Sequence, residues 1–133
     1  MKKQNNQPKI IYIFGNPLLT EDSLPLRLVP DLRKALPEID FVVADPNENL
    51  KPQNKELIII DTILGIKDIV VINNINKIQL SPLYSAHDLD LGFNLKLLAK
   101  LGQLQKITIF GLPPNFPPKK ALKRLIPQIK ALV

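Results

Sequence analysis

The residues whose types and positions could do chemistry are two aspartates placed just past apolar runs and the only histidine of the chain. Asp22 follows the run 10–14 after the break Gly15-Asn16-Pro17, and Asp61 terminates the aliphatic run 57–60. His87 stands in Ser85-Ala86-His87-Asp88. Ligand sites in open α/β sheets form just beyond the carboxyl ends of strands, so two acids and one imidazole could converge on one edge. Such a set suits a divalent metal such as nickel or zinc and leaves coordination positions open for substrate or water. The absence of cysteine excludes disulfides, thiolate metal sites and thiol nucleophiles. The chemistry must rest on oxygen and nitrogen groups.

Each of these residues also has a plainer reading. Asp22 near a helix start could serve the helix dipole or a cap. Asp61 is harder to explain structurally, because a carboxylate ending an apolar strand needs hydrogen bonds, a cation or solvent, and a site there is favoured. Asp45 ends another apolar run, where Pro46 also fits an ordinary Asp-Pro turn. His87 could be a loop histidine before a helix. Ser85 makes no triad with it, since adjacency in sequence is not catalytic geometry and no Gly-x-Ser-x-Gly elbow is present. A Walker phosphate loop and a Gly-x-Gly-x-x-Gly turn are both missing.

The elements that must position these groups are read from periodicity. Strands are expected at 9–14, 39–44, 57–60 and 107–110, the last halted by Gly111, and 57–60 has the unbroken apolar character of a central parallel strand. Residues 69–72 and 77–80 read as a hairpin or two short edge strands. A helix over 23–36 places Leu24, Leu28, Leu32 and Leu36 on one face, with Arg27, Asp31 and Lys34 off it. Pro25 suits its first turn, whereas Pro30 should cost or kink it. A second helix over 88–100 turns Leu91, Leu95, Leu98 and Ala99 inward, with Gly102 at its C-terminal cap. A basic amphipathic helix begins near Pro118, with Pro127 expected to disturb its last turns. This order implies an α/β fold of three αβα layers: a mostly parallel, twisted sheet flanked by helices, with a short edge strand or hairpin and right-handed crossovers.

With 133 residues, 45% of them hydrophobic, the chain has the size of one domain spanning 1–133 and can bury a core, with residues 1–8 expected to be flexible. It shows no apolar run long enough to cross a bilayer and no signal-peptide pattern at Met1-Lys2-Lys3, so a cytoplasmic protein without membrane insertion is expected. The formal charge of +6 raises nucleic-acid binding. The densest cations, Lys119, Lys120, Lys123, Arg124 and Lys130, alternate with Leu122, Leu125, Ile126, Ile129 and Val133 at helical spacing and read as a solvated face. No zinc-finger spacing or aromatic ribonucleoprotein motif accompanies them, and no nucleic-acid partner is expected. A positive surface equally attracts an acidic protein partner.

The constellation resembles the hydrogenase maturation proteases, which process the large subunit of nickel-iron hydrogenases. The resemblance spans most of the chain and is carried by the run from Phe14 to Asp22 (Phe-Gly-Asn-Pro-Leu-Leu-Thr-Glu-Asp), the acidic strand end at Asp45, Ile58-Ile59-Ile60-Asp61, the run from Ser85 to Gly92 (Ser-Ala-His-Asp-Leu-Asp-Leu-Gly), and Ile109-Phe110-Gly111-Leu112-Pro113-Pro114. It implies that Asp22, rather than neighbouring Glu21, forms a metal-binding trio with Asp61 and His87. For the hydrolytic step, Asp45 is the preferred catalytic participant, as general base on water, the alternative being a bound metal that polarises the scissile carbonyl or activates water; Asn16 and Glu48 are read as substrate-binding residues. The implied reaction is removal of a C-terminal extension from a metal-loaded large-subunit precursor, the partner; the compact length of the chain suits a monomer. The trio would recognise nickel held by the substrate, with no permanent cofactor and with zinc or cadmium as surrogates in crystals.

This chain departs from the family pattern in two places. Ser23-Leu24-Pro25 stands where many relatives carry Gly-x-Gly, and Asp45-Pro46-Asn47-Glu48 stands for Asp-Gly-Gly-Thr, removing glycine flexibility from a loop implicated in proteolysis. Two alternatives follow. One is a non-catalytic nickel-sensing or docking factor for hydrogenase assembly; the other is a small α/β structural or nucleotide-binding domain with the histidine far from the acids.

Overall fold

A computed structural model describes residues 7–44, 50–74, 95 and 97–132. Its sheet contains β1 (Lys9–Ile13), β2 (Ile39–Val43), β3 (Glu56–Thr62), β4 (Val70–Ile72) and β5 (Lys106–Leu112), in the order β2-β1-β3-β5-β4. Neighbours pair in parallel except β4, which runs antiparallel along the outer side of β5. A 3-10 turn, Thr20–Asp22, precedes helix α1 (Leu24–Ala35), and helix α2 (Pro118–Leu132) closes the described chain. The expected mixed, mostly parallel sheet flanked by helices is therefore the observed architecture.

Alternation along the strands sorts side chains into two apolar layers. Ile11, Ile13, Phe41, Ile58, Ile60, Phe110 and Leu112 pack with Leu24, Leu28 and Leu32 of α1 and with Ala121, Leu125 and Ile129 of α2. On the opposite face, Tyr12, Phe14, Leu57, Ile59, Ile107 and Ile109 meet Leu50, Ile63, Leu95 and Leu104. The four-residue leucine spacing of the first helix thus faces the sheet as expected, and Leu36, just past its end, is buried too.

Both helices run through the prolines expected to kink or disturb them, Pro30 and Pro127. An interior proline costs about 3 kcal/mol, whereas burying each leucine or isoleucine side chain contributes about 1.5–3 kcal/mol. Leu24, Leu28, Val29 and Leu32 anchor α1, and Leu125 and Ile129 anchor α2, while both prolines lie on the exposed side. Packing outweighs the local defect.

Residues 97–100 are helical and end as the sequence implies. Gly102 has φ 75°, its N–H donates to the Ala99 carbonyl at 3.1 Å, and the Gln103 N–H donates to Leu98 at 2.9 Å. These two bonds form a Schellman cap. The expected strand 77–80 and residues 88–94 of the expected helix lie outside the described residues. No helix among the described residues is long and apolar enough to cross a membrane.

Candidate functional site at the carboxyl edge of the sheet

Strand order reverses between β1 and β3: the chain leaves β1 to build β2 on one side and returns to build β3 on the other. Carboxyl ends flanking such a switch point leave a crevice in open α/β sheets. The segment after β1 and the last residues of β3 flank this switch point, and these are the segments bearing Asp22 and Asp61.

The loop after β1 is fixed by its own backbone. Phe14 still donates its N–H to the Ile60 carbonyl at 3.0 Å, holding the strand end beside β3. The Asn16 N–H then reaches the Asp22 carbonyl at 2.9 Å, and the Asp22 N–H reaches Leu19 at 3.0 Å. Gly15 makes the closure feasible, because a Cβ there would lie 2.8 Å from the Asp22 carbonyl oxygen and 3.0 Å from Leu26 Cγ. Asn16 Oδ1 accepts the Leu18 N–H at 2.9 Å, an Asx turn that shapes the start of the loop.

Asp22 is half-buried, whereas Glu21 is exposed. The residue preceding α1 is Ser23, whose hydroxyl donates to the Thr20 carbonyl at 3.0 Å instead of capping the helix. Asp22 is therefore not the helix cap that its sequence position allowed.

Asp61 sits inside β3, one residue before its end, where the sequence placed it just past the strand. Its backbone is in register with Gly111, and strand alternation sends its side chain to the face bearing Leu57 and Ile59. The residue is only 4% exposed, and its Oδ1 accepts the Thr62 N–H at 2.8 Å. A carboxylate this buried at a strand end is costly unless bonded or facing a cation.

Gly111 does not halt its strand as expected. β5 continues through it to Leu112, because Gly111 pairs with Asp61 on one side and Val70 on the other. Its missing side chain has a packing cause: a Cβ would lie 2.2 Å from Ile63 Cδ1 and 3.0 Å from Val70 Cγ2. Sequence reasoning missed both this role and that of Gly15, since neither close approach leaves a local signal beyond the glycine itself.

Beyond β3, Arg124 of α2 pairs with Asp68. The Arg124 hydrogen bond and then the Ile69 N–H hold the Asp68 carboxyl below the ordinary carboxylate range. Lys120 and Arg124 also lie 5.5 and 5.8 Å from the centre of the Phe116 ring, within cation–π range. These contacts tie the loop after β3 to the start of α2.

Of the sequence-predicted residues, Asp22, Asp61 and Asn16 thus come to one sheet edge. Asp45, Glu48 and His87 lie outside the described residues, and among those described no group of three His, Cys, Asp or Glu gathers closely enough to hold a metal. A cavity of about 160 Å³ lies instead at the amino-terminal edge, lined by Gln7, Lys9, Gln53, Asn54 and Glu56. An ion pair between Lys9 and Glu56 at 3.4 Å crosses its lining, so these groups answer one another.

No protein-family model matches the chain, and no curated protein matches it. The fold does match solved structures. One is the hydrogenase maturating endopeptidase HybD from E. coli, with a TM-score of 0.70 and 20% sequence identity over 93% of this chain and 91% of that one. Another is the solution structure of an endopeptidase from Escherichia coli, with a TM-score of 0.67 and 19% identity over 91% and 90%. Nearly the whole length of each chain is shared, which fixes the architecture as that of these proteins.

Proposed function

We propose that this chain is a hydrogenase maturation endopeptidase that removes a C-terminal extension from the metal-loaded large-subunit precursor of a nickel-iron hydrogenase. The observation that carries the reading is the placement of Asp22 and Asp61 on the two sides of a topological switch point, in a fold shared end to end with a protein described as such an endopeptidase.

In this reading, nickel belongs to the substrate. Asp22 and Asp61 supply oxygen donors and His87 a nitrogen donor to a metal already held by the precursor, an O/N set suited to a divalent ion. The loop bonds that set the Asp22 backbone and the strand pairing that sets Asp61 pre-organise two of the three donors. Recognition through the metal makes cleavage conditional on its presence, because an empty precursor offers those donors nothing to bind. Asn16 and Glu48 contact the substrate chain. Asp45 acts as general base, taking a proton from the water that adds to the scissile carbonyl.

The test incubates the pure protein with nickel-loaded and nickel-free precursor and identifies products by intact mass. Loss of the extension from the loaded form alone is expected. Equal cleavage of both forms removes the metal-recognition role, and wild-type binding without cleavage turns the reading into that of a docking factor. Asp45→Asn should abolish processing while preserving precursor binding; normal processing by that variant eliminates the general-base role.

A further inference from the structure

Strand β3 keeps one neighbour longer than the other. On the β5 side, pairing runs in register from Glu56 with Lys106 to Thr62 with Leu112, and the Ile63 N–H still reaches the Leu112 carbonyl at 2.9 Å. On the β1 side the last pair is Ile13 with Ile60, and the last bond runs from the Phe14 N–H to the Ile60 carbonyl at 3.0 Å. Main-chain groups of successive strand residues point to opposite neighbours, so Ile60 and Thr62 face β1 while Asp61 and Ile63 face β5. The next rung of the parallel ladder would run from the Thr62 N–H to the Phe14 carbonyl. That rung is not made: the Thr62 N–H donates to Asp61 Oδ1 at 2.8 Å instead.

The interruption falls where it is costly. Phe14 is 1% exposed, and its carbonyl accepts no N–H among the described residues. Thr62 is 5% exposed, and its hydroxyl is likewise buried without a hydrogen-bond partner. Buried polar groups are almost always paired, so two unpaired ones at one level of the sheet mark a place where stability alone did not shape the chain. The bond gained in exchange is charge-assisted, an N–H on a carboxylate, and stronger than the neutral rung it replaces.

We infer that Thr62 is a positioning residue for Asp61: the sheet opens by one rung at the switch point so that the Thr62 main-chain N–H holds Oδ1 and turns Oδ2 to the substrate's nickel. The inference rests on the proposed function for the identity of the metal and adds the group that aims its strand-borne ligand. Strand pairing fixes the Asp61 backbone, yet the carboxylate can still rotate about its side-chain bonds. The Thr62 N–H removes that freedom. Groups that orient a metal ligand are worth about 10–100-fold in metal recognition, so this bond carries a measurable share of the discrimination between loaded and empty precursor.

Amide hydrogen exchange on the full chain tests the bond without any precursor. In Asp61→Ala the Thr62 amide should exchange about 10-fold faster relative to the Ile63 amide, which stays paired with Leu112. An unchanged ratio overturns the inference, because another acceptor then holds that N–H. Thr62→Pro deletes the N–H where neither the β1 nor the β5 ladder uses it, whereas Thr62→Val keeps it. Thr62→Pro should bind nickel-loaded precursor about 10–100-fold more weakly and lose its preference over nickel-free precursor. Thr62→Val should lose far less of that preference. A folded Thr62→Pro protein with the wild-type preference overturns the positioning role and leaves the endopeptidase reading intact. Should circular dichroism show that Thr62→Pro does not fold, the exchange ratio decides. Equal affinity of the wild-type protein for both precursors removes metal recognition from the proposed function and overturns this inference with it.

Discussion

At the amino-terminal end of the sheet, the Gln53 carboxamide accepts the Ile10 N–H at 2.8 Å and donates to the Pro8 carbonyl at 3.0 Å, standing in for strand pairing where β3 has not yet begun. The Lys55 carbonyl there accepts both the Gln105 and Lys106 N–H groups, at 2.7 and 3.0 Å. Asn54 and Lys55, with φ of 50° and 64°, form a tight turn closed by reciprocal bonds between Gln53 and Glu56. At the carboxyl end, hydrogen bonds instead lock the loop backbone after β1, and the same region displays a half-buried Asp22, a buried Asp61 and exposed leucines. One end uses its polar groups to bind the chain to itself. The other uses them to hold charge and apolar surface where something else can meet it, the separation of stability and function expected of an α/β sheet.

The strongest way to break this contrast is at Asp61. Asp61→Asn keeps an oxygen to accept the Thr62 N–H, so Tm should change little. Processing of nickel-loaded precursor should fall at least about 100-fold, because even groups that only support a metal ligand are worth 10–100-fold. An intact-mass time course reads the loss, and near-normal processing would detach this end of the sheet from the chemistry.

Gly111→Ala probes where the two functions meet. Overpacking against Ile63 should destabilise the fold by about 1–3 kcal/mol, read by urea denaturation, and should lower processing by shifting the strand beside Asp61. Full stability would mean that Ile63 gives way without cost. Gln53→Ala at the opposite edge should remove two hydrogen bonds for about 1–2 kcal/mol yet leave kcat and KM unchanged in the folded protein, so altered kinetics at equal folded fraction would erase the distinction between the edges.

The smallest effect belongs to Asp68. Its folded-state pKa is lowered by Arg124, so the pair's contribution is fully present above the unfolded carboxylate value and disappears as pH falls through the lowered folded value. Because the site is solvent-exposed and salt-screened, Asp68→Asn should lower Tm only slightly at pH 7, less in high salt, and not at all at pH below that window. A Tm gap that widens on acidification contradicts this assignment.

Local periodicity made much of the fold legible. The spacing of Leu24, Leu28, Leu32 and Leu36 gave the buried helix face, and Gly102 marked a cap that its positive φ and two backbone bonds match. The helices expected around Pro30 and Pro127 continue through both prolines, where the burial of the opposite face outweighs the local cost. Gly111 misled for a related reason: a glycine at a strand end reads as a stop, whereas its cause is Ile63, distant in sequence and pressed against it in space. Asp22 and Asp61 were legible as strand-end acids, yet only the order β2-β1-β3 brings the segments that bear them to adjacent strand ends. That order depends on crossovers, which composition and spacing do not encode.

The strand order also sets a timetable. β1, α1 and β2 are consecutive in the chain and pair along the full length of β1, so this unit can assemble from local contacts as synthesis proceeds from the amino terminus. The switch point does not yet exist at that stage, since its second strand is β3, and β3 is flanked on its far side only when β5 arrives late in the chain. A nascent or truncated product can therefore hold β1, α1 and β2 without the strand that flanks the switch point on its other side.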